Sequence, residues 1–129
     1  MIGTKMKNYK IIAGLISFAA VFGISNAANA KAAKCELSID GGGTYNGPCN
    51  FVPMRGGSFE ISALEKRKNL IGDLESIVVW VGSAADLPPN EAFYAYTRRG
   101  EAGRNGSYLK RQKNRPACWV GEYDKICVF

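Results

Sequence analysis

The side chains available for chemistry in this 129-residue chain are few, because it contains no histidine. Serine and cysteine nucleophiles that depend on a histidine base are therefore excluded, and the commonest zinc ligand is missing. The four cysteines show no C-x-x-C spacing, so we predict no metal site, no redox site and no cofactor. Carboxylate chemistry remains, and Glu60, Asp73 and Glu75 are candidates for a pair that flanks a glycosidic bond. Most carboxylates are surface charges, so we predict that the protein is not an enzyme.

A cluster of positive charge between residues 98 and 115 is the better candidate site. Seven lysines and arginines lie there against one carboxylate, a local net charge of +6, with tyrosines in and beside the segment. A basic surface with aromatic rings suits anionic sugars or lipid phosphates. The alternative is a solvated loop whose arginines keep an edge strand from pairing. The predicted ligand-binding residues are Tyr94, Tyr96, Arg98, Arg99, Arg104, Lys110 and Arg111.

The N-terminal 30 residues are typical of a cleavable signal peptide. Three lysines precede an apolar run over residues 11–24, and Ala28-Asn29-Ala30 has the small-x-small pattern of a cleavage site. The apolar run is shorter than the roughly 20 residues that a membrane span needs. We therefore predict cleavage after Ala30 and a single mature domain over residues 31–129, without a transmembrane segment, in the periplasm or outside the cell. Export also argues against a nucleic acid partner.

The cysteines of an exported chain this small are expected to form disulfides. Cys35 and Cys49 are symmetric about Gly42, in the middle of three glycines, while Cys118 and Cys127 are symmetric about residues 122–123. A hairpin that turns at each centre places its two cysteines directly opposite each other, at a separation that suits a disulfide. We predict Cys35–Cys49 and Cys118–Cys127, each stapling one terminal hairpin.

The elements that must position these residues are mainly strands. Polar and apolar residues alternate with period two in several short segments, and glycines or prolines separate them. The pattern predicts a mostly β domain, a single antiparallel sandwich or barrel of six to eight strands. We also expect Trp80 and Trp119 in the core. The local predictions are a bend or bulge at 46–48, one or two helical turns over 63–70, a central strand at 76–81 covered on both faces, a strand at 92–97, and a loop over 100–106 with its turn at Asn105-Gly106.

Residues 35–37, 47–51 and 57–61, together with 117–120 and 126–127, resemble the two ends of a group of small exported bacterial proteins with paired cysteines. That group has no settled biochemical role, so this resemblance implies export and a fold but assigns no site.

A second resemblance is carried by residues 94–102, Tyr94-x-Tyr96-Thr97-Arg98-Arg99-Gly100-Glu101-Ala102. The segment is similar to one in the periplasmic inhibitors of c-type lysozyme, which are small exported β-barrels stapled by disulfides. The serine- and glycine-rich loop that precedes it in those proteins is not found here. Lysozyme is strongly cationic, and its charge opposes the approach of a basic segment.

The function expected from the sequence is that of an exported, non-enzymatic binding protein of the bacterial envelope. Its expected partner is an anionic envelope component bound by the basic segment, or another protein. Two alternatives stay open: an inhibitor of a host or competitor lysozyme, and a small carboxylate-based glycosidase.

Overall fold

The computed structural model of the protein describes residues 30–129. The predicted signal peptide lies outside the described residues except for Ala30. Among residues 30–129, no helix has the length and apolar character to cross a membrane. The strands are β1 (Lys31–Ile39), β2 (Gly43–Pro53), β3 (Phe59–Ser62), β4 (Leu74–Val81), β5 (Glu91–Arg98), β6 (Arg104–Arg111), β7 (Cys118–Val120) and β8 (Lys125–Val128).

The strands form one closed antiparallel barrel in the order β8-β1-β2-β3-β4-β5-β6-β7, with β7 paired to β8. Each strand therefore pairs with the next in the chain, and the pairing of β8 with β1 closes the barrel. This topology confirms the predicted mostly β domain. The sequence allowed a sandwich or a barrel, and the structure is a barrel. Each described strand therefore has a partner on both sides, although β6 pairs with β7 only at Lys110 and Arg111.

The barrel interior is filled by apolar side chains from alternate positions of every strand. Eight strands enclose a space just wide enough for side chains to fill. The fully buried side chains include Ile61, Ile77, Leu109 and Ile126, one from each of four strands. The middle of the barrel is therefore solid, and the cavities described below lie at its two ends.

Closure also explains two predictions that were wrong. Each strand of a closed barrel has one face inside and one face outside, so β4 cannot be covered on both faces. Ile77 and Val79 point inward, whereas Trp80 points outward and is 38% exposed. Trp119 is in the core, as predicted, and is 3% exposed.

Three local predictions were also wrong. The ladder between β1 and β2 is continuous from Lys31 to Ile39, without a bend or bulge at 46–48. Residues 63–70 form a loop instead of helical turns, and Leu64 points into solvent, so a helix there would have no apolar face to bury. Asn105 and Gly106 lie inside β6, and the chain turns earlier, between β5 and β6.

Both predicted disulfides are confirmed, but only one pairs directly opposed residues. Cys118 lies opposite Cys127, with their Cα atoms 4.0 Å apart. Cys35 lies opposite Gly47, so its disulfide to Cys49 runs diagonally across the β1–β2 ladder, with a Cα–Cα distance of 5.8 Å. All four cysteines are fully buried, and the two bonds hold the hairpins that meet where the barrel closes.

Candidate ligand-binding sites

The barrel has two ends that differ in composition. The first, called here the terminal mouth, carries the start of β1 at Lys31, the end of the chain at Phe129, and the loops after β2, β4 and β6. The second, called the hairpin mouth, carries the loops after β1, β3, β5 and β7. Each mouth contains a cavity bordered by the inward-facing residues at the strand ends.

The cavity at the terminal mouth has a volume of about 480 Å³ and an aromatic wall. Phe51 and Phe59, on neighbouring strands, lie with their ring centroids 5.4 Å apart. Trp119, Val128 and Phe129 are further apolar residues of the lining. Its volume lies within the range of small-molecule sites, which are typically mostly apolar with a few polar groups.

Two cations stand in this lining. Arg111 lies opposite Trp119 in the ladder, its guanidinium carbon is 4.3 Å from the indole ring centroid, and its Nη1 donates a hydrogen bond of 2.9 Å to the Pro116 carbonyl. The ammonium of Lys31 lies 5.8 Å from the centroid of Phe51. Among residues 30–129, neither cation forms a salt bridge. Aromatic faces hold both charges in place and leave most of their N–H groups available to an anion.

The hairpin mouth contains a buried carboxylate, Asp124, in the β7–β8 turn. It is 7% exposed and accepts hydrogen bonds from the backbone N–H of Asp40 at 2.7 Å and from the Ser107 hydroxyl at 2.6 Å. Tyr94 lies beside it, and its pKa is raised above the usual tyrosine value, first by burial and then by the charge of Asp124 and a hydrogen bond to it. These contacts join four strands or turns of the barrel end.

The cavity at this mouth measures about 470 Å³ and is bordered by tyrosines and carboxylates. Tyr94 and Tyr96 share the inward face of β5, with ring centroids 6.3 Å apart. Asp40, Glu122 and Asp124 are the carboxylates of its border.

Arg98 lies at the rim of the hairpin mouth and is bound to a carboxylate. Its Nη1 is 2.6 Å from the Asp73 carboxylate, and its guanidinium lies 5.4 Å from the ring centroid of Tyr96. The hydrogen bond to Asp73 raises the pKa of Arg98 further above its already high value.

The other two predicted binding-site arginines of this mouth, Arg99 and Arg104, also have partners. Arg99 donates a hydrogen bond of 2.7 Å to Asn69 and lies 3.6 Å from the Glu75 carboxylate. Arg104 lies 3.4 Å from Glu101, three residues earlier. These pairs are exposed, so each contributes little to the stability of the fold. Each nevertheless neutralises an arginine that was counted in the predicted basic site.

The predicted basic site is divided by the barrel. Strand β6 rises about 3.3 Å per residue, so Arg104 and Arg111 lie about 23 Å apart, at opposite ends of one strand. Lys110 points outward from the wall, opposite Glu91 of β5. Tyr94, Tyr96, Arg98, Arg99 and Arg104 lie together at the hairpin mouth, whereas Arg111 alone reaches the terminal mouth. That these residues bind a ligand stays a prediction.

Sequence reasoning missed Lys31, Phe51, Phe59 and Phe129 as neighbours of Arg111. Each lies in a strand or terminus far from residue 111 in the chain, and only the closed register brings them to one mouth. Alternation along β1 and β2 indicates that Lys31 and Phe51 face the interior, but it does not indicate which end they share.

Two of the three candidate glycosidase carboxylates are paired with arginines. Asp73 and Glu75 each face an arginine. Glu60 lies on the outer face of β3, and its ladder partners are Val52 and Val78.

Comparison with known proteins finds no family model, no curated protein and no solved structure that matches this chain.

Proposed function

We propose that the protein is a non-enzymatic binding protein of the bacterial envelope that holds an amphipathic anion in the terminal mouth. The observation that carries this proposal is the position of Arg111. Its charge is stacked on Trp119 at the border of an aromatic cavity and has no carboxylate partner among the described residues. The proposal narrows the basic segment predicted from the sequence to this one arginine, joined by Lys31.

The two parts of such a ligand have separate places. An acyl chain enters between Phe51, Phe59 and Trp119, where each buried methylene contributes about 0.8 kcal/mol. Its phosphate or carboxylate stays at the rim, where Arg111 and Lys31 supply charge-assisted hydrogen bonds. Aromatic rings inside the cavity with cations at its rim favour an anionic amphiphile over a neutral lipid or a free anion.

The predicted signal peptide and the two disulfides support an envelope location. Disulfides form and persist in oxidising compartments such as the periplasm, and both bonds are buried in the barrel. Anionic amphiphiles are abundant components of such compartments' membranes.

The proposal is tested by calorimetric titration of residues 31–129 with dodecyl phosphate below its micellar concentration. Dodecyl trimethylammonium, with the same chain and the opposite charge, serves as the control ligand. Arg111→Gln is compared with Lys110→Gln, which removes the same charge from the adjacent residue on the outer face.

We expect dodecyl phosphate to bind and Arg111→Gln to weaken it about tenfold or more, equivalent to one charge-assisted hydrogen bond. Lys110→Gln is expected to change the affinity less than twofold, because the Lys110 charge lies on the outer face of the wall and is screened from the ligand by salt. Equal losses from the two variants, or equal binding of the cationic amphiphile, would refute the proposal.

A second candidate function is inhibition of a c-type lysozyme by the hairpin mouth. The observation that favours it is charge neutralisation: Arg98, Arg99 and Arg104 have carboxylate partners, and three further carboxylates border the adjacent cavity. A cationic partner is therefore not repelled from this end. The test is a turbidity assay of lysozyme with excess mature protein, and undiminished lysis would exclude this function.

A further inference from the structure

Three aromatic side chains form a row on the outer wall, apart from the terminal mouth, and Tyr108 at one end of the row also borders the cavity of the hairpin mouth. Trp80 of β4, Phe93 of β5 and Tyr108 of β6 lie directly opposite one another in the two ladders. The rings of Phe93 and Tyr108 lie 5.0 Å apart at an angle of 62°. Ala84 and Ala85 of the following loop form one side of a shallow depression of about 350 Å³ over the row.

The aromatic row is exposed to solvent and does not contribute to the core of the barrel. Trp80 is 38% exposed and Tyr108 is 66% exposed, while the interior of the same three strands is already filled. Large aromatic side chains in contact with water lose the burial that normally stabilises them. A row of three on adjacent strands is therefore better explained by a ligand than by packing.

The neighbouring outward positions show which kind of ligand fits. Toward the terminal mouth the next outward pair is Glu91 opposite Lys110, and toward the hairpin mouth it is Ala95 opposite Asn105. The rings are thus bordered by hydrogen-bonding groups on both sides. The opposed charges of Glu91 and Lys110 leave the border without net charge.

The size of the row argues against a stable protein interface. The row spans two strand spacings, about 10 Å. A stable interface buries about 800 Å² on each partner, and three partly covered rings do not supply that area.

A pyranose ring has an apolar C–H face and a rim of hydroxyls. Its C–H groups meet the negative face of an aromatic ring, and its hydroxyls reach the polar border.

We propose that the row of Trp80, Phe93 and Tyr108, bordered by Glu91, Lys110 and Asn105, is a binding platform for a neutral glycan chain. The site is separate from the terminal mouth and does not depend on the function proposed for that mouth.

The test is an NMR titration of ¹⁵N-labelled residues 31–129 with chitohexaose, cellohexaose and maltohexaose at millimolar concentration. The chain has two tryptophans, Trp80 and Trp119, so each indole N–H reports on one site. We expect at least one of the three oligosaccharides to shift the Trp80 signal and leave the Trp119 signal in place.

Tyr108→Ala is compared with Tyr123→Ala, which removes an equally exposed ring, 67% against 66%, at the hairpin mouth. Tyr108→Ala is expected to weaken binding about tenfold, because it removes one stacked ring, and Tyr123→Ala is expected to leave binding unchanged. Because both side chains are exposed, neither change is expected to disturb folding, and circular dichroism checks this.

Several outcomes would overturn the platform. These are no Trp80 shift with any of the three oligosaccharides, equal loss from the two tyrosine variants, or a shift confined to Trp119 that Arg111→Gln abolishes. The last result would place the glycan in the terminal mouth. A concentration-dependent dimer that Trp80→Ala dissociates, seen by sedimentation, would assign the row to self-association instead.

Discussion

Adding a single methyl group at Gly106, by the change Gly106→Ala, tests how tightly the hairpin mouth is packed. It lies in the bulge at which two residues of β6 oppose Tyr94 of β5, and its Cβ position overlaps the Tyr94 ring, well inside the 3.0 Å that real Cβ contacts respect. Tyr94 is 3% exposed and cannot swing away without disturbing the core. Overpacking of this kind costs about 1–3 kcal/mol. At about 4–8 °C per kcal/mol for a domain of this size, a cost of about 2 kcal/mol lowers the melting temperature by about 8–16 °C.

The assay is thermal unfolding of Gly106→Ala followed by circular dichroism. Gly103→Ala is the matched control, since it lies in the adjacent turn and its Cβ position meets nothing closer than Thr97 Oγ1 at 3.8 Å. The control is expected to match or slightly exceed the wild-type midpoint, because alanine restricts the unfolded chain.

A double-mutant cycle assigns the cost to the ring. In a Tyr94→Ala background, the further change Gly106→Ala is expected to cost less than about 0.5 kcal/mol. Overpacking against the Tyr94 ring is refuted if Gly106→Ala melts at the same temperature as the Gly103→Ala control, or if Gly106→Ala costs the same with and without the Tyr94 ring.

Three further predictions concern the same barrel. Asp124→Ala removes a buried carboxylate that accepts two hydrogen bonds, and it should destabilise the domain by about 3 kcal/mol in a guanidinium titration; a loss below about 1 kcal/mol would contradict the network. Because the pKa of Tyr94 is raised in the folded state, its contribution is complete below the unfolded value near 10 and is lost as pH rises above it. Unfolding midpoints should therefore fall less steeply above about pH 10 in Tyr94→Phe than in wild type, and parallel curves would exclude this origin. Replacing Cys118 and Cys127 by alanine opens a loop with a sequence separation of 9 and should cost at least about 2.5 kcal/mol, and an unchanged midpoint would show that the bond is not stabilising.

Much of the fold follows from local patterns in the sequence. Alternation with period two marks one face of each strand, and symmetric cysteine spacing identifies both disulfides. The register of the first hairpin does not follow, because Gly41 and Gly43 both adopt positive φ, at 71° and 98°, and the turn is centred one residue earlier than the glycine triplet suggests. A shift of one residue makes the first disulfide diagonal.

The candidate site could be predicted only in part, because it depends on closure. Arg104 and Arg111 belong to one basic segment in the sequence, yet the length of β6 separates them. Trp80 and Trp119 have similar apolar neighbours in the sequence, but strand parity in the closed barrel places one outside and one inside. Gly106 looked like a turn residue, although the reason for glycine there is the ring of a residue on the neighbouring strand.

Entry of an acyl chain into the terminal mouth can be measured with Trp119 as the reporter. In a Trp80→Phe variant Trp119 is the single tryptophan of the chain, and it borders the proposed site. The ligand is a fatty acid brominated at its methyl end, ω-bromoundecanoate, which quenches indole fluorescence on contact. We predict saturable quenching that dodecyl phosphate reverses and that Arg111→Gln shifts to about tenfold higher concentration. Binding without quenching, or quenching that does not saturate, would show that the acyl chain does not enter the terminal mouth.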